Sequence, residues 1–350
     1  MSQLHLQGEF WFGKVGKRER KRAFLENGGL VLEKLVASCN GRPIPIRTFS
    51  YKELILATNN FDPSLILGQG LGHYILYKGS FEGRIRFIKR YFTFFKRFAL
   101  TDIGISAKTS AHKNILKLVG CCLETSCPIL VYEYAQNGVL ADQIYLSQRQ
   151  GSPMEWQSRL KIARQIAHII AYLHTAFSRP IIHRGITLES FFLDQHDVPK
   201  LEDFSRSITI PEDKTHVKVD QVSGIAGFLC PSYWTTKIVT EKTDVYSFGM
   251  IILQLLTGHD ASALLSLVSE NNDMCGNSFE RQKKLMDYFR NSAIDEIGDP
   301  AILAEGGVGV ELQLQAVQQL GLTCIEGDPK IRPTMVDVTK ELRRIEKLIA

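Results

Sequence analysis

The chain has 350 residues, and the 44% that are apolar can bury a substantial core, which excludes a wholly disordered protein. Forty-two basic and 37 acidic residues leave a net charge of +5, too small for the overall charge to indicate a nucleic-acid-binding protein. The length suits one large bilobal domain or two smaller domains.

Residues 1–47 are predicted to form a basic N-terminal extension that contains a short helix. Aromatic residues 10–12 precede a cluster of basic side chains within residues 14–22. Such a cluster suits contact with anionic lipid, at on the order of 1 kcal/mol per basic side chain near the surface, and a solvated tail is the alternative. Apolar residues within 30–36 have helical spacing, and the glycine and prolines of residues 40–45 end that helix.

A strand-rich half follows, over about residues 48–134. The segment TFSYKELILATNNFD predicts a helix capped by Ser50, with Glu53 three residues later as in a capping box. Short apolar runs come next, and their glycine and charge punctuation is typical of an antiparallel sheet: residues 75–77, 85–88, 116–119 and 129–134.

A helix-rich half extends over about residues 135–348. Apolar residues recur at helical spacing between Leu160 and Leu173, and residues 245–256 form an apolar run long enough for a buried helix. No run reaches the roughly 20 residues needed to span a bilayer, and none near the start resembles a signal peptide.

The cysteines show neither a disulfide framework nor a paired C-x-x-C metal pattern. We therefore expect reduced, mostly buried thiols and a cytoplasmic protein, which could also be peripheral at the plasma membrane. The positions are Cys39, Cys121, Cys122, Cys127, Cys230, Cys275 and Cys324.

A series of motifs in chain order resembles the eukaryotic protein-kinase fold. The segments are LGQGLGHYILYKG, RFIK, HKNILKLVGCC, ILVYEY, HRGITLES, LEDFS, DVYSFG and DPKIRPTM. The resemblance implies an α+β, bilobal protein-kinase-like domain over residues 48–348. A small antiparallel-sheet N-lobe would span about residues 48–134, and a larger, mostly helical C-lobe about residues 135–348.

Three segments resemble plant receptor-like kinases of the wall-associated type: ATNNFD, GCCLET and TEKTDVYSFG. The NGG segment near residue 28 and the altered catalytic loop are similar to the HopZ-ETI-deficient-related pseudokinases, of the receptor-like cytoplasmic kinase group. This resemblance implies an adaptor for a nucleotide-binding leucine-rich-repeat immune receptor. Other receptor-like cytoplasmic kinases or pathogen effectors would be further partners.

The resemblance implies that ATP phosphates would meet the glycine loop, which needs residues without a Cβ. Gly68 and Gly70 match its first two glycines, whereas His73 stands at the third and Gly72 lies one residue early. A plain hairpin turn is the alternative interpretation of this segment.

Lys89 matches the strand lysine that contacts the ATP phosphates in protein kinases. Its glutamate partner is expected near Ile103, and the neighbouring Asp102 points to a different helix face, so we expect no ion pair. Asp203 matches the carboxylate that holds Mg²⁺, and a retained structural aspartate is the alternative; Ser205 replaces the glycine that follows in the family.

The loop HRGITLES carries the largest chemical change. Gly185 stands where protein kinases have the aspartate that accepts the substrate proton, and Ser190 where they have the metal-binding asparagine. Thr187 replaces a lysine of receptor-like kinases. Loss of a positioned base lowers a rate by about 10² to 10⁴, and Glu189, the nearest carboxylate, matches no catalytic role in the family. We expect no catalytic residue in this loop.

Two other segments are informative. In GIAGFLCPSY, Ile225 and Ser232 stand where related kinases have a threonine and a glutamate, so Arg332, the expected partner of that glutamate, needs another. The segment FIKRYFTFFKRF at residues 87–98 mixes aromatic and basic side chains. It favours either inward packing or an exposed protein-binding patch, with a single-stranded nucleic-acid platform as a weaker alternative.

Positions that serve the architecture are kept, whereas positions that serve proton removal, metal binding and substrate docking are altered together. The sequence therefore favours a pseudokinase adaptor that requires no cofactor and binds no nucleic acid. A weak ATP-dependent Ser/Thr kinase, with Lys89 and Asp203 holding MgATP, is the alternative.

Overall fold

The computed structural model describes residues 16–39, 46–70, 72–149, 153–225, 227–268 and 278–348. The aromatic residues 10–12, Lys14, the helix-ending residues 40–45 and Cys275 lie outside these ranges. The chain divides into an N-terminal unit, residues 1–136 with 203–205, and a C-terminal unit, residues 137–202 with 206–350.

The N-terminal unit contains a six-stranded sheet in the order β1-β5-β6-β4-β3-β2. Its elements are α1 (Lys17–Cys39), β1 (Arg47–Thr48), α2 (Tyr51–Ala57), β2 (Ile66–Gly70), β3 (Tyr74–Phe81), β4 (Arg84–Tyr91), α3 (Lys96–Thr109), β5 (Leu118–Cys122) and β6 (Ile129–Tyr132). The predicted strands are confirmed, with shifted bounds.

The sheet is mixed rather than purely antiparallel, because β1 pairs parallel with β5. Gly120 explains the close approach of these strands. A Cβ at Gly120 would lie 2.1 Å from the carbonyl oxygen of Arg47, so only glycine admits this pairing. The added strand leads directly into α2, where Ser50 and Glu53 form the predicted capping box.

Helix α1 is 23 residues long, and the predicted helix over residues 30–36 is only its last part. Asn27 is fully buried and donates from Nδ2 to the carbonyl oxygens of Leu123, at 2.9 Å, and Thr125, at 2.7 Å. Val31, one turn later, is buried as well. These contacts fix α1 on the N-terminal unit, since two buried carbonyls would otherwise lack a donor.

The C-terminal unit is mostly helical, and its buried helices include the two predicted from sequence, now α5 and α7. Its elements are α4 (Leu140–Arg149), α5 (Trp156–Thr175), β7 (Ile181–Ile182), β8 (Phe191–Leu193), β9 (Pro199–Leu201), β10 (Ile208–Thr209), β11 (Val217–Lys218), α6 (Pro231–Thr236), β12 (Ile238–Val239), α7 (Glu241–Thr257), α8 (Ala261–Ser266), α9 (Ser278–Asn291), α10 (Ile294–Ile297), α11 (Pro300–Leu303), α12 (Val308–Cys324) and α13 (Met335–Glu346).

The thiols whose side chains are described are free and buried, as predicted: Cys121, Cys122, Cys127, Cys230 and Cys324. Burial raises the pKa of Cys121 and Cys324 to about 12, so these thiols stay protonated at neutral pH. In the part of the chain that the structure describes, no helix is long and apolar enough to cross a membrane.

Candidate functional site

Lys89 is the centre of a buried charged cluster in the N-terminal unit. Its side chain is fully buried, and Nζ lies 2.8 Å from Asp102 Oδ2 and 2.8 Å from Asp203 Oδ1. The Tyr91 hydroxyl donates to Asp102 Oδ2 at 2.7 Å. Because a buried ammonium is costly without anionic partners, the two carboxylates stabilise the burial of the Lys89 side chain here.

The ion pair between Lys89 and Asp102 contradicts the expectation that this aspartate points away. Both Asp102 and Ile103 are fully buried, because α3 also packs against α1 on its other side. The second oxygen of Asp102 accepts hydrogen bonds from Ser106 Oγ and from the backbone N–H of Phe204, both at 3.1 Å. These donors hold the shorter side chain against Lys89.

The glycine loop is a hairpin between β2 and β3. Gly72 turns the chain with φ +74°, a conformation that favours glycine, and the N–H of His73 donates to Gly70 O at 2.8 Å. The ring of His73 lies 4.4 Å, centroid to centroid, from that of Phe95 at the start of α3. The residue at the third glycine position thus packs onto aromatic side chains.

Tyr74, the next residue, is a feature that the sequence interpretation missed. A Cβ built on Gly70 would lie 2.0 Å from Tyr74 Cζ, so the ring rests directly on the second glycine of the loop. Lys89 Nζ lies 4.0 Å from the centroid of the same ring. Cross-strand pairing could have indicated this, because Tyr74 is opposite Tyr91, and Leu76 is opposite Lys89.

In the C-terminal unit, the altered catalytic loop is held by its own backbone. The Ser190 hydroxyl donates to Thr187 O at 2.6 Å and accepts from Thr187 N–H at 3.1 Å. Gly185 has room for a side chain, since an added Cβ would have its nearest neighbour, His183 Nδ1, at 3.6 Å. Glu189 is exposed. Local packing around the Cβ position therefore does not require glycine at residue 185.

Asp244 fixes the backbone of this loop at His183 and Arg184. The backbone N–H groups of His183 and Arg184 each donate to an oxygen of Asp244 at 2.8 Å, and His174 Nε2 lies 3.1 Å away. Burial acts to raise the pKa of Asp244, but the hydrogen bond and charge of His174 outweigh it, so this pKa is lowered. The ionised carboxylate also supports Arg184 at φ +62°.

Arg332 has other partners than Ser232, as predicted. It is buried, and Nη1 lies 2.9 Å from Cys230 Sγ while Nε donates to Glu326 O at 2.7 Å. Its guanidinium carbon lies 5.1 Å from the centroid of Tyr246. A thiol, backbone carbonyls and an aromatic face thus surround the guanidinium.

Residues 87–98 are interpreted from the sequence either as packed inward or as an exposed protein-binding patch, and the structure shows both buried and exposed side chains in this segment. Phe87 and Tyr91 are 1% exposed and belong to the core, whereas Phe94 is 77% exposed. Lys96 pairs with Glu26 of α1 at 2.6 Å. Phe94 and Arg97 are thus the exposed residues of the segment.

ATP and Mg²⁺ are the ligands that the kinase resemblance implies, and the side chains that would hold them engage one another in this structure. The ammonium of Lys89 is directed at two carboxylates and a tyrosine ring, and the carboxylate of Asp203 is engaged by that ammonium. The Ser190 hydroxyl is engaged by Thr187. The roles of Gly68, Gly70, Lys89 and Asp203 as ATP and Mg²⁺ ligands stay a prediction.

Asp102→Asn is expected to destabilise the N-terminal unit by about 3–5 kcal/mol, because the change leaves a buried ammonium with one carboxylate fewer. Both tryptophans that the structure describes, Trp156 and Trp234, lie in the other unit, so their fluorescence would not report on unfolding of this one. Hydrogen exchange of β3 and β4 peptides is therefore the suitable measurement. The exposed Glu33→Gln, in the same unit, is the control and should stay within about 0.5 kcal/mol. Equal protection in the two variants would contradict a stabilising Lys89–Asp102 pair.

Comparison with known proteins agrees with the motifs and the fold. The protein kinase domain model matches residues 90–342. Among proteins of Arabidopsis thaliana, the "Non-functional pseudokinase ZRK2" is 39% identical and the alignment covers 96% of this chain and 95% of that protein. The "Non-functional pseudokinase ZED1" is 39% identical, with coverage of 95% and 98%. The "Serine/threonine-protein kinase ZRK1" is 39% identical, with coverage of 94% for both chains.

The "Wall-associated receptor kinase-like 1" of the same plant is 35% identical over 97% of this chain but only 46% of its own length. The relatives thus include proteins named as kinases and proteins named as pseudokinases. The chain belongs to the protein kinase family, in the group of HopZ-ETI-deficient-related and wall-associated-kinase-like proteins.

Proposed function

We propose that the protein is a pseudokinase that works as an adaptor in plant effector-triggered immunity. The observation that carries this proposal is Gly185, which offers neither a proton acceptor nor a hydroxyl-orienting group where the reaction needs one. Glycine cannot acquire this role by a movement of the loop. The names of ZRK2 and ZED1 support the pseudokinase part of the proposal, and the name of ZRK1 keeps weak Ser/Thr kinase activity as the alternative to be tested.

The full chain is expected to transfer no γ-phosphate from ATP, to itself or to a general protein substrate, above the level of Lys89→Ala. The reason is that the loop lacks three groups together: the base, replaced by Gly185, the lysine of receptor-like kinases, replaced by Thr187, and the second metal ligand, replaced by Ser190. Transfer of radiolabelled phosphate with Mg²⁺ or Mn²⁺ measures this, with an active receptor-like kinase as positive control. Transfer that exceeds background and disappears in Lys89→Ala would establish the weak-kinase alternative.

The proposed docking surface for an immune receptor is the outer face of α1, here called the α1 stripe and defined as Leu25, Gly29, Leu32 and Val36. Leu25, Leu32 and Val36 are 66%, 62% and 55% exposed. Their spacing of three and four residues places them on one helix face, and Gly29 has no neighbour within 4 Å of an added Cβ. Because Asn27 and Val31 hold the opposite side of the helix, the stripe is presented on a fixed support.

An apolar helix stripe of this kind suits burial against the concave surface of leucine-rich repeats, which offer extended binding surfaces. We propose that the stripe contacts the repeats of a nucleotide-binding immune receptor. Residues 204–230, which follow the family's metal-binding aspartate, would receive an effector or a receptor-like cytoplasmic kinase that an effector has modified. The exposed Trp234, 56% accessible on α6, provides an aromatic anchor beside that segment.

Leu32→Glu with Val36→Glu is expected to abolish recovery of an immune receptor when the tagged full chain is precipitated from plant extract. A charge at the centre of an apolar contact lacks a partner and costs several kcal/mol of binding. Mass spectrometry of the precipitate measures receptor recovery. Leu56→Glu is the matched control, because Leu56 is 72% exposed on α2 of the same unit.

Recovery of the receptor by the control but not by the double variant would support the α1 stripe. Equal recovery by both would place the contact elsewhere. Absence of any leucine-rich-repeat receptor from the wild-type precipitate would contradict the adaptor proposal itself.

The first two turns of α1 are proposed to contact an anionic membrane surface. Four basic side chains of these turns are exposed, namely Lys17, Arg18, Lys21 and Arg22. The exposed Leu25 follows on the same helix. Such a helix end suits a surface that contains phosphatidylserine, at on the order of 1 kcal/mol for each basic group. The contact would be peripheral.

Replacement of these four side chains by glutamine should lower binding to phosphatidylserine-containing vesicles at least ~10-fold. Binding of the wild type should also fall as salt is raised, because the charges are exposed. Vesicle co-sedimentation measures both effects, with pure phosphatidylcholine vesicles for comparison. The control replaces four exposed basic residues of the C-terminal unit: Lys330, Lys340, Arg343 and Lys347. Equal binding by both variants would contradict the proposed membrane contact.

A further inference from the structure

The position of Tyr74 bears on whether the N-terminal unit can accept a nucleotide at all. A glycine loop binds phosphates through backbone N–H groups, which requires that the phosphates approach the glycines closely. Here the Tyr74 ring occupies that approach, since a Cβ at Gly70 would meet ring atoms at 2.0 and 2.1 Å and the hydroxyl at 2.6 Å. Tyr74 is 7% exposed, so the ring is packed within the unit rather than turned to solvent.

The other side of the same ring covers Lys89, which matches the phosphate-binding lysine of protein kinases. Lys89 Nζ lies 4.0 Å from the Tyr74 centroid and 5.2 Å from that of Tyr91, distances at which an ammonium is attracted to an aromatic face. The Tyr74 and Tyr91 rings are themselves in contact, with centroids 5.2 Å apart. The ring thus lies between the backbone of the glycine loop and the cation that would both hold phosphate.

The charges around Lys89 oppose a further anion. Asp102 and Asp203 each have an oxygen 2.8 Å from Nζ, so one cation is already matched by two carboxylates. Burial, followed by the charges of Asp102 and Asp203, raises the pKa of Tyr91 well above its usual value, which keeps this hydroxyl a neutral donor. A triphosphate at this place would add negative charge beside two carboxylates that already engage the ammonium of Lys89.

We infer that Tyr74 is an internal plug, which closes the phosphate-binding part of the glycine loop by standing between Gly70 and Lys89. The plug is independent of the loss of the catalytic base, because a protein with glycine in place of the catalytic aspartate could still bind nucleotide. It is also independent of the adaptor role. The chemical class that it excludes is a nucleoside triphosphate with its divalent cation.

The experiment compares Tyr74→Val with the wild type in the full chain. Valine keeps a β-branched side chain suited to β3 and removes the ring. MgATP is expected to raise the melting temperature of Tyr74→Val and to leave the wild type unchanged. A fluorescent ATP analogue, titrated in the presence of Mg²⁺, should bind the variant at least ~10-fold more tightly.

Tyr77→Val is the matched control. Tyr77 is also a buried tyrosine of β3, but its side chain points to the opposite face of the sheet, where it contacts Phe61. It therefore reproduces the loss of a buried ring without opening the glycine loop. Nucleotide binding by Tyr77→Val equal to that of Tyr74→Val would overturn the inference.

A second measurement tests the position of the ring without any nucleotide. Gly70→Ala should lower the melting temperature of the wild type, because the new Cβ collides with Tyr74, and should have little effect in the Tyr74→Val background. A Gly70→Ala change that is equally tolerated in both backgrounds would show that the ring does not lie there. Binding of MgATP by the wild type, or no binding by a folded Tyr74→Val, would equally overturn the plug.

Discussion

A lysine ammonium removed from water must be matched by anionic partners, and in the N-terminal unit this requirement falls on Lys89. Its pairs with Asp102 and Asp203 connect strand β4, helix α3 and the short segment 203–205. The Tyr74 and Tyr91 rings then enclose the cation. The residues that match the nucleotide-binding positions of the kinase family thus form a buried ionic cluster.

The C-terminal unit also keeps contacts that support the fold while its catalytic positions are altered. Asp244 holds the backbone of His183 and Arg184, so the catalytic loop keeps a fixed shape although Gly185 offers no base. At Arg332, carbonyl oxygens and the thiol of Cys230 occupy the place of a lost glutamate. Buried charged groups of the fold thus retain partners, because an unpaired one would cost several kcal/mol, whereas catalytic groups can be lost without a cost in stability.

Much of the fold could be predicted from the sequence because its signals are local. The Ser50–Glu53 capping box and the apolar runs of α5 and α7 each depend on residues close together in the chain. The full length of α1 and the parallel strand β1 could not be predicted in this way. The side-chain nitrogen of Asn27 donates to carbonyls about a hundred positions away, and β1 depends on a close approach permitted by Gly120.

The sequence by itself determined the family and the absence of a carboxylate at Gly185, because no folding of the chain can give that residue a side chain. It also identified Lys89, Asp203 and Arg332 as the positions that matter. Only the tertiary structure decided their partners: Asp102 instead of a glutamate for Lys89, and a thiol for Arg332. It alone placed Tyr74 on Gly70. Such contacts depend on the rotation of a helix and the pairing of strands, which are fixed by packing between distant parts of the chain.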